Sequence, residues 1–296
     1  MIYHIRHRTI VHYDAPVQLA RFNLRLRPAP WPGQWTSDYH LAVDPAPASI
    51  ESRPSAWPVH VARIEIDSPL HQISIESSFR AGVQGGAPIE PQDDDPVVGA
   101  VAEAALAARD MGSAAPAPFL YPSPRVPLLP QVGDWASALL APGRPIVGAA
   151  LDLAQRIKAE FAYVSGATDA TTPVGDAFAA RHGVCQDFAH VMVAALRWFG
   201  LPAAYVSGYL RTDPPPGMPR LVGADAMHAW VMLWCGPTRG WIGFDPTNGV
   251  IAGDGHLFVA MGRDYADVAP MDGLFVGGGG QTIQVMVDVM PEEEGV

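Results

Sequence analysis

The stretch RHGVCQDFAHVMVAALRWFG (residues 181–200) decides the predicted fold, because it joins a glycine, a cysteine and an apolar run of helical period. Apolar residues recur at helical spacing on one face: Phe188, Met192, Ala195, Leu196 and Phe199. Gly200 and Pro202 predict the end of this helix, because glycine and proline commonly follow a helix C-terminus. Cys185 therefore lies at the predicted start of a buried helix.

This position favours chemistry at Cys185. Helix N-termini present unpaired N–H groups and a partial positive charge, which favour a thiolate over a thiol and hold an oxyanion on an attacked carbonyl. Gly183 lets the chain turn tightly and lets a substrate approach. Gln186 and Tyr163 are candidates for a second oxyanion donor, or are structural. Cys235, by contrast, follows an apolar run and is predicted to be a small buried hydrophobe.

A thiolate nucleophile also needs a base and a group that orients the base. His228 lies in the predicted strand MHAWVMLW, and Asp245 closes the predicted strand RGWIGFD. If these strands are antiparallel neighbours, the two side chains lie side by side and face the start of the helix. Asn248, in the turn signal PTNG, is the alternative orienting residue. The order cysteine, histidine, aspartate predicts a triad in which the carboxylate fixes the imidazole tautomer.

Several segments together resemble a known family. GVCQDFAHVMVAALRWFGLPAAYVSGYL (183–210) resembles the nucleophile segment of bacterial transglutaminase-like proteins, which belong to the papain-like cysteine superfamily. MHAWVMLW (227–234) resembles the histidine strand of that family, and GWIGFDPTNG (240–249) resembles its aspartate strand. YHIRHRTIVHYDAPV (3–17) is similar to the β-rich N-terminal region that accompanies this core, and GRDYADVAPMDG (262–273) to the stretch that follows it.

The resemblance implies that Cys185 is the nucleophile, His228 the general acid/base and Asp245 the orienting carboxylate. It implies acyl transfer from an amide through a thioester, with no cofactor and no metal requirement. The acceptor stays open: water makes the protein a protease, peptidase or amidase, and an amine makes it a transglutaminase. The substrate is accordingly a peptide, a protein or a small amide. A non-catalytic binding module of the same fold is the alternative from a different class.

The predicted fold class is α+β. Short alternating runs predict an N-terminal antiparallel β-sandwich-like domain over residues 1–82. An alanine-rich helix and a proline-rich linker follow over 83–130. Residues 131–296 are expected to form a papain-like transglutaminase core, in which the nucleophile helix packs on an antiparallel sheet, with a C-terminal β extension.

Composition narrows the classes of function. The chain has 296 residues, of which 49% are hydrophobic, and a formal net charge of −11, which argues against broad nucleic-acid binding. No uninterrupted apolar run approaches the ~20 residues that span a bilayer, so no membrane partner is expected. The start of the sequence lacks the apolar region of a secretory signal, and the two cysteines cannot build a disulfide framework. We therefore expect a cytoplasmic protein.

Two further histidines near the cysteine suggest a zinc site as the alternative to a catalytic thiol. His182 and His190 would complete four ligands with Cys185 and His228, but their spacing is not one of the paired spacings of zinc sites. His190 follows Asp187 at helical spacing, which predicts an aspartate–histidine contact on the helix surface. The sequence thus favours a thiol site without a metal.

Overall fold

The computed structural model describes residues 1–84, 89–211 and 227–292. It confirms the α+β class: most strands belong to two antiparallel sheets, and the helices cover the second of them. Within the described ranges, no helix combines the length and the apolar character needed to cross a membrane.

The elements are named in chain order. The strands are β1 (Ile2–Leu24), β2 (Gln34–Asp44), β3 (Ser49–Arg53), β4 (Val61–Ile66), β5 (Leu70–Val83), β6 (Ala162–Tyr163), β7 (His182–Gly183), β8 (Ala203–Leu210), β9 (Met227–Trp234), β10 (Trp241–Asp245), β11 (Val250–Ile251), β12 (His256–Gly262), β13 (Met271–Gly277) and β14 (Gln281–Pro291). The helices are α1 (Val98–Ala107), α2 (Pro130–Ala136), α3 (Ile146–Glu160), α4 (Val174–Ala180), α5 (Cys185–Trp198) and α6 (Tyr265–Val268). A 3₁₀ helix covers Ala117–Leu120.

The N-terminal sheet has the order β2-β5-β1-β4-β3, and β13 and β14 also pair with β1. The runs of alternating polar and apolar residues at the start of the chain form the single long strand β1. β13 and β14 follow β1 almost from end to end, from the pair Leu24–Met271 to the pair Tyr3–Pro291. The last part of the chain therefore returns to its first strand, and the three-part domain division stays a prediction.

The second sheet carries the candidate site and has the antiparallel order β11-β10-β9-β8-β12. Its central strands are nearly buried throughout, which explains their almost continuous apolar sequences. Helix α5 packs on β8 and β9, and α2 and α4 cover its other sides. The predicted apolar stripe on α5 is present, but residues 187–197 are buried all round the helix. This central position makes α5 a rigid support for its first residue.

The two sheets share a buried junction. Tyr3 and Ile5 of β1 join the same apolar cluster as the residues beneath α5. His7 of β1 hydrogen-bonds through Nδ1 to the hydroxyl of Tyr209 on β8 at 3.0 Å, and through Nε2 to Thr9 at 3.1 Å. Burial lowers the pKa of His7 to about 4, so the ring is neutral at physiological pH. The N-terminal sheet thus supports the sheet that carries the site.

The proline-rich segment after α1 packs against the core. Phe119 is completely buried and meets the ring of Trp241 edge-on at a centroid distance of 5.4 Å. Its carbonyl accepts a hydrogen bond at 3.0 Å from Nε of Arg197, a buried guanidinium that also donates to Ala203 O at 2.8 Å. These bonds satisfy a buried cation at the end of α5 and fix the segment in place.

Candidate active site

Cys185 is the first residue of α5, as the sequence predicts. Val184 is the N-cap, and its carbonyl accepts from the N–H groups of Asp187 at 3.0 Å and Phe188 at 3.2 Å. The helical geometry leaves the N–H groups of Cys185 and Gln186 without acceptors inside the helix. Two backbone donors are thereby available beside the sulfur for a developing negative charge.

The start of α5 is held by a carboxylate from its own first turn. Oδ2 of Asp187 accepts from the N–H of Val184 at 2.8 Å and from the hydroxyl of Thr168 at 2.6 Å. A Cβ at Gly183 would lie 2.5 Å from that same Oδ2, so only glycine leaves room for it. Gly183 therefore accommodates the Asp187 carboxylate, a role that sequence reasoning did not assign to it.

His228, at the start of β9, links the cysteine to the predicted carboxylate. Its Nε2 lies 2.8 Å from Oδ2 of Asp245. Its side chain also interacts electrostatically with that of Cys185. Because Nε2 is engaged by Asp245, Nδ1 is the ring nitrogen left for the sulfur. Burial lowers the pKa of His228, but the hydrogen bonds to Asp245 and Cys185 outweigh it and raise that pKa to about 9. At neutral pH the ring is an imidazolium.

Asp245 is completely buried at the end of β10. Its Oδ1 accepts from the N–H groups of Thr247 at 2.9 Å and Asn248 at 3.1 Å. Its Oδ2 accepts from His228, from Nδ2 of Asn248 at 2.6 Å and from Nε2 of His256 at 3.1 Å. Burial raises the pKa of this carboxyl, but the hydrogen bonds from His228 and His256 hold it well below its usual range. Asn248 thus supports Asp245, which is the residue in contact with His228.

His256, the first residue of β12, is a member of the site that the sequence reasoning missed. Its ring lies edge-on to Trp230 at a centroid distance of 5.3 Å, and the Trp230 ring stacks on His228 at 6.3 Å. The surrounding sequence GDGHLFV carries no spacing that marks a site. Its only signal is a histidine placed between a turn and an apolar run.

One atom of each of His228, Asp245 and His256 lies within 4.8 Å of the other two, a spacing that could suit a metal ion. The hydrogen bonds argue otherwise. The N–H of Gly253 donates to Nδ1 of His256 at 3.1 Å, so the ring hydrogen is on Nε2. Nε2 then donates to Asp245 and has no lone pair for a cation. The donor set fits a hydrogen-bond network better than a metal centre.

The two histidines of the rival zinc hypothesis are bound to backbone groups. Nδ1 of His182 donates to the carbonyl of Ala180 at 3.1 Å. His190 is buried, and burial lowers its pKa to about 4. Its Nε2 accepts from the N–H of Tyr265 at 3.2 Å. Because His190 is bound to Tyr265 and Asp187 caps the helix start, the predicted contact between Asp187 and His190 is wrong.

Two tyrosines lie near the sulfur. Burial raises the pKa of Tyr163, and so does the charge of Cys185, although this side chain is more than half exposed. Tyr205 of β8 is buried, and burial together with the charge of Cys185 raises its pKa well above the usual value. Both phenols are protonated at neutral pH and can donate hydrogen bonds. Tyr205 was not among the candidates from the sequence.

Comparisons with known proteins bear on the family and the fold of the chain. The bacterial transglutaminase-like N-terminal region matches residues 3–81, and the transglutaminase-like superfamily matches residues 134–246. An uncharacterized protein of Mycobacterium tuberculosis is 35% identical over 303 residues, which cover 98% of this chain and 93% of that protein. A protein-glutamine gamma-glutamyltransferase of Pseudomonas aeruginosa is 41% identical over 71 residues, 24% of this chain and 10% of that protein. The crystal structure named "a Putative Cysteine Protease from Cytophaga hutchinsonii" has the same fold, with a TM-score of 0.72 at 20% identity over 99% of this chain and 92% of that one.

Proposed function

The chain belongs to the transglutaminase-like superfamily and carries the bacterial N-terminal region of that family, and from this premise we propose that it is a cysteine-dependent acyl-transfer enzyme. The acyl group leaves an amide, passes through a thioester on Cys185 and is given to water or to an amine. The amide belongs to a peptide, a protein or a small molecule. The observation that carries the proposal is the position of Cys185 at the start of α5, where its side chain interacts with that of His228, which is hydrogen-bonded to Asp245.

In the first step the Cys185 thiolate attacks the carbonyl carbon of the amide, so that a C–S bond forms and the π electrons move onto oxygen. The oxyanion accepts hydrogen bonds from the N–H groups of Cys185 and Gln186 at the helix start. The C–N bond then breaks, and the proton on Nδ1 of His228 passes to the leaving nitrogen. An amine departs, and the thioester and a neutral imidazole remain.

In the second step water or an amine attacks the thioester carbonyl, and Nδ1 of His228 takes its proton. The C–S bond breaks and regenerates the thiolate, while a carboxylic acid or a new amide leaves. Asp245 stays ionised throughout, because the hydrogen bonds around it hold its pKa low. Its role is to keep Nε2–H of His228 pointing at Oδ2 and to stabilise the imidazolium.

The test is to trap the thioester. Wild-type protein and Cys185→Ala are incubated with a library of peptides containing glutamine and lysine and with a set of small amides, quenched in acid and digested. Mass spectrometry of the peptide around Cys185 reads the acyl adduct, and hydroxylamine should remove it. We expect an adduct and product only with the wild type. Turnover retained in Cys185→Ala would refute the mechanism.

The acceptor is read in the same incubation with a biotinylated amine added. Hydrolysis, which we favour, releases a free acid and leaves the amine unused. Amine transfer instead places biotin on the acyl fragment. Amine incorporation with no hydrolysis of any substrate would overturn that preference and identify a transglutaminase.

A further inference from the structure

His256 contacts the candidate site from an unexpected strand. β12 and β10 are not neighbours, because β8 and β9 separate them in the sheet. The 3.1 Å bond from Nε2 of His256 to Oδ2 of Asp245 therefore links two strands that are not paired in the sheet. It ties the end of β10 to the start of β12 at the point where the candidate triad is assembled.

The bond has a defined direction. Nδ1 of His256 accepts the N–H of Gly253 at 3.1 Å, which places the ring hydrogen on Nε2. His256 is thus the donor in its hydrogen bond to Asp245. It offers a hydrogen to the same oxygen, Oδ2, that receives Nε2–H of His228 at 2.8 Å.

Packing holds the His256 ring in this orientation. Trp230 lies beside both rings, edge-on to His256 at 5.3 Å and stacked on His228 at 6.3 Å. Gly208 makes room for this arrangement, since a Cβ there would lie 2.4 Å from Cη2 of Trp230 and 2.3 Å from the carbonyl oxygen of Leu257, the residue after His256. The two histidines and the tryptophan form one packed unit.

We infer that His256 is a positioning residue, which holds Oδ2 of Asp245 at the place where it orients His228 for acyl transfer. This inference rests on the proposed function. Asn248 donates to the same oxygen at 2.6 Å and anchors it from within the loop after β10, whereas His256 anchors it from the far strand β12. Loss of His256 should therefore loosen the carboxylate without removing it.

Two variants separate the hydrogen bond from the shape of the ring. His256→Phe keeps a flat ring against Trp230 but removes the donor to Asp245. His256→Gln places an amide N–H near the position of Nε2 and keeps the donor. We expect His256→Phe to lower kcat about 10- to 100-fold, as a misplaced catalytic group does, and to leave KM within about twofold. His256→Gln should restore kcat to within about threefold of the wild type.

A second readout needs no substrate. In protein labelled with ¹⁵N in the histidine rings, the hydrogen-bonded Nε2–H proton of His228 should give a downfield signal in the wild type and in His256→Gln. In His256→Phe that signal should broaden or vanish, because the Asp245 carboxylate is no longer held in line with Nε2–H of His228. The melting temperature of each variant shows that the protein is folded.

The outcomes distinguish this inference from the proposed function. A folded His256→Phe with wild-type kcat and an unchanged downfield signal would overturn the inference and leave the proposed function intact. His256→Gln as impaired as His256→Phe would mean that the ring is needed for structure alone, and would also overturn it. If the wild type forms no thioester, the proposed function fails, and the downfield signal by itself decides whether His256 holds Asp245.

Discussion

The two cysteines of the chain lie in opposite environments, one at the start of a helix and the other directly after a strand. Cys185 is partly exposed at the start of α5, where its side chain interacts electrostatically with that of His228. Cys235, directly after β9, is completely buried. Its sulfur donates to the carbonyl of Leu233 at 3.6 Å, and burial raises its pKa far above the usual value.

The comparison shows that position determines what a thiol does. Cys235 belongs to an apolar cluster, where removing its proton would leave a buried charge. Cys185 instead lies at a helix start, with unpaired backbone N–H groups and the side chain of His228 beside it. Both residues are cysteines, so any difference in their reactivity reflects their surroundings.

Alanine at each cysteine gives the largest difference. Cys185→Ala should lower kcat/KM by about 10⁶-fold, because the nucleophile is lost. Cys235→Ala should leave kcat/KM within about twofold and cost mainly stability, since it removes only a buried packing group. Thioester trapping and steady-state rates on both variants check this. Equal losses of activity in the two folded variants would contradict the different roles predicted for Cys185 and Cys235.

The loss of activity on alanine substitution should be smaller for residues that lie farther from the sulfur of Cys185. His228→Ala should abolish turnover, because it removes the proton carrier. Asp245→Ala should cost about 100-fold less than Cys185→Ala, since an orienting group is a smaller loss than the nucleophile. Rates for the three variants, with circular dichroism to verify folding, test the ranking. If Asp245→Ala is as inactive as Cys185→Ala, the carboxylate takes a more direct part in the reaction than orienting His228.

Alkylation measures the two thiols in one sample without any substrate. Iodoacetamide should label Cys185 in the native protein at pH 6 at least about 100-fold faster than Cys235, because only Cys185 is accessible and paired with an imidazolium. Peptide mass spectrometry reads both sites at once. His228→Ala should lose the fast labelling at pH 6. Labelling of Cys185 that rises only above pH 8, alike in both proteins, would show that the pair is not formed.

The pH profile sharpens the role of the imidazolium. His228, with its pKa raised to about 9, holds its proton below that pH and loses it as the pH rises through 9. Because the leaving nitrogen needs that proton, kcat/KM should fall about tenfold per pH unit above pH 9. Activity between pH 7 and 11 on an amide substrate checks this. A profile still rising at pH 10 would mean that His228 is not the acid.

The smallest effect concerns the glycine that precedes the helix. Gly183→Ala places a Cβ 2.5 Å from Oδ2 of Asp187 and 2.9 Å from its Cβ, so the cap at the start of α5 must shift. We expect a loss of about 1–3 kcal/mol in the free energy of unfolding, measured in urea, and slower alkylation of Cys185. Gly143→Ala is the matched control, since a Cβ there meets nothing within 4 Å. If the two glycine variants are equally stable, Gly183 is not needed to make room for the Asp187 carboxylate at the start of α5.

Much of the site could be predicted because its parts are local. The start of α5 at Cys185 follows from helical period and from the stop signals Gly200 and Pro202, which act within a few residues. β9 with His228 and β10 with Asp245 follow from short apolar runs, and these two strands pair as antiparallel neighbours. The family resemblance rests on the same local segments.

Other features depend on contacts between distant segments. Strands β2, β3 and β13 did not emerge from the sequence, because most of their side chains are exposed or only partly buried. Strand β12 did not emerge either, because it is almost completely buried and its short apolar run has no alternation. The pairing of β14 with β1 joins the two ends of the chain, and no local pattern encodes such a partner.

Periodicity and residue type by themselves determined that a cysteine begins a buried helix and that a histidine and an aspartate stand on strands after it. Only the tertiary structure decided which donors surround Asp245, because His256 reaches it across two strands. The same holds for Asp187, whose carboxylate binds Thr168 rather than the histidine one helical turn away. Hydrogen-bond partners are set by three-dimensional proximity, and sequence spacing predicts them only within one element.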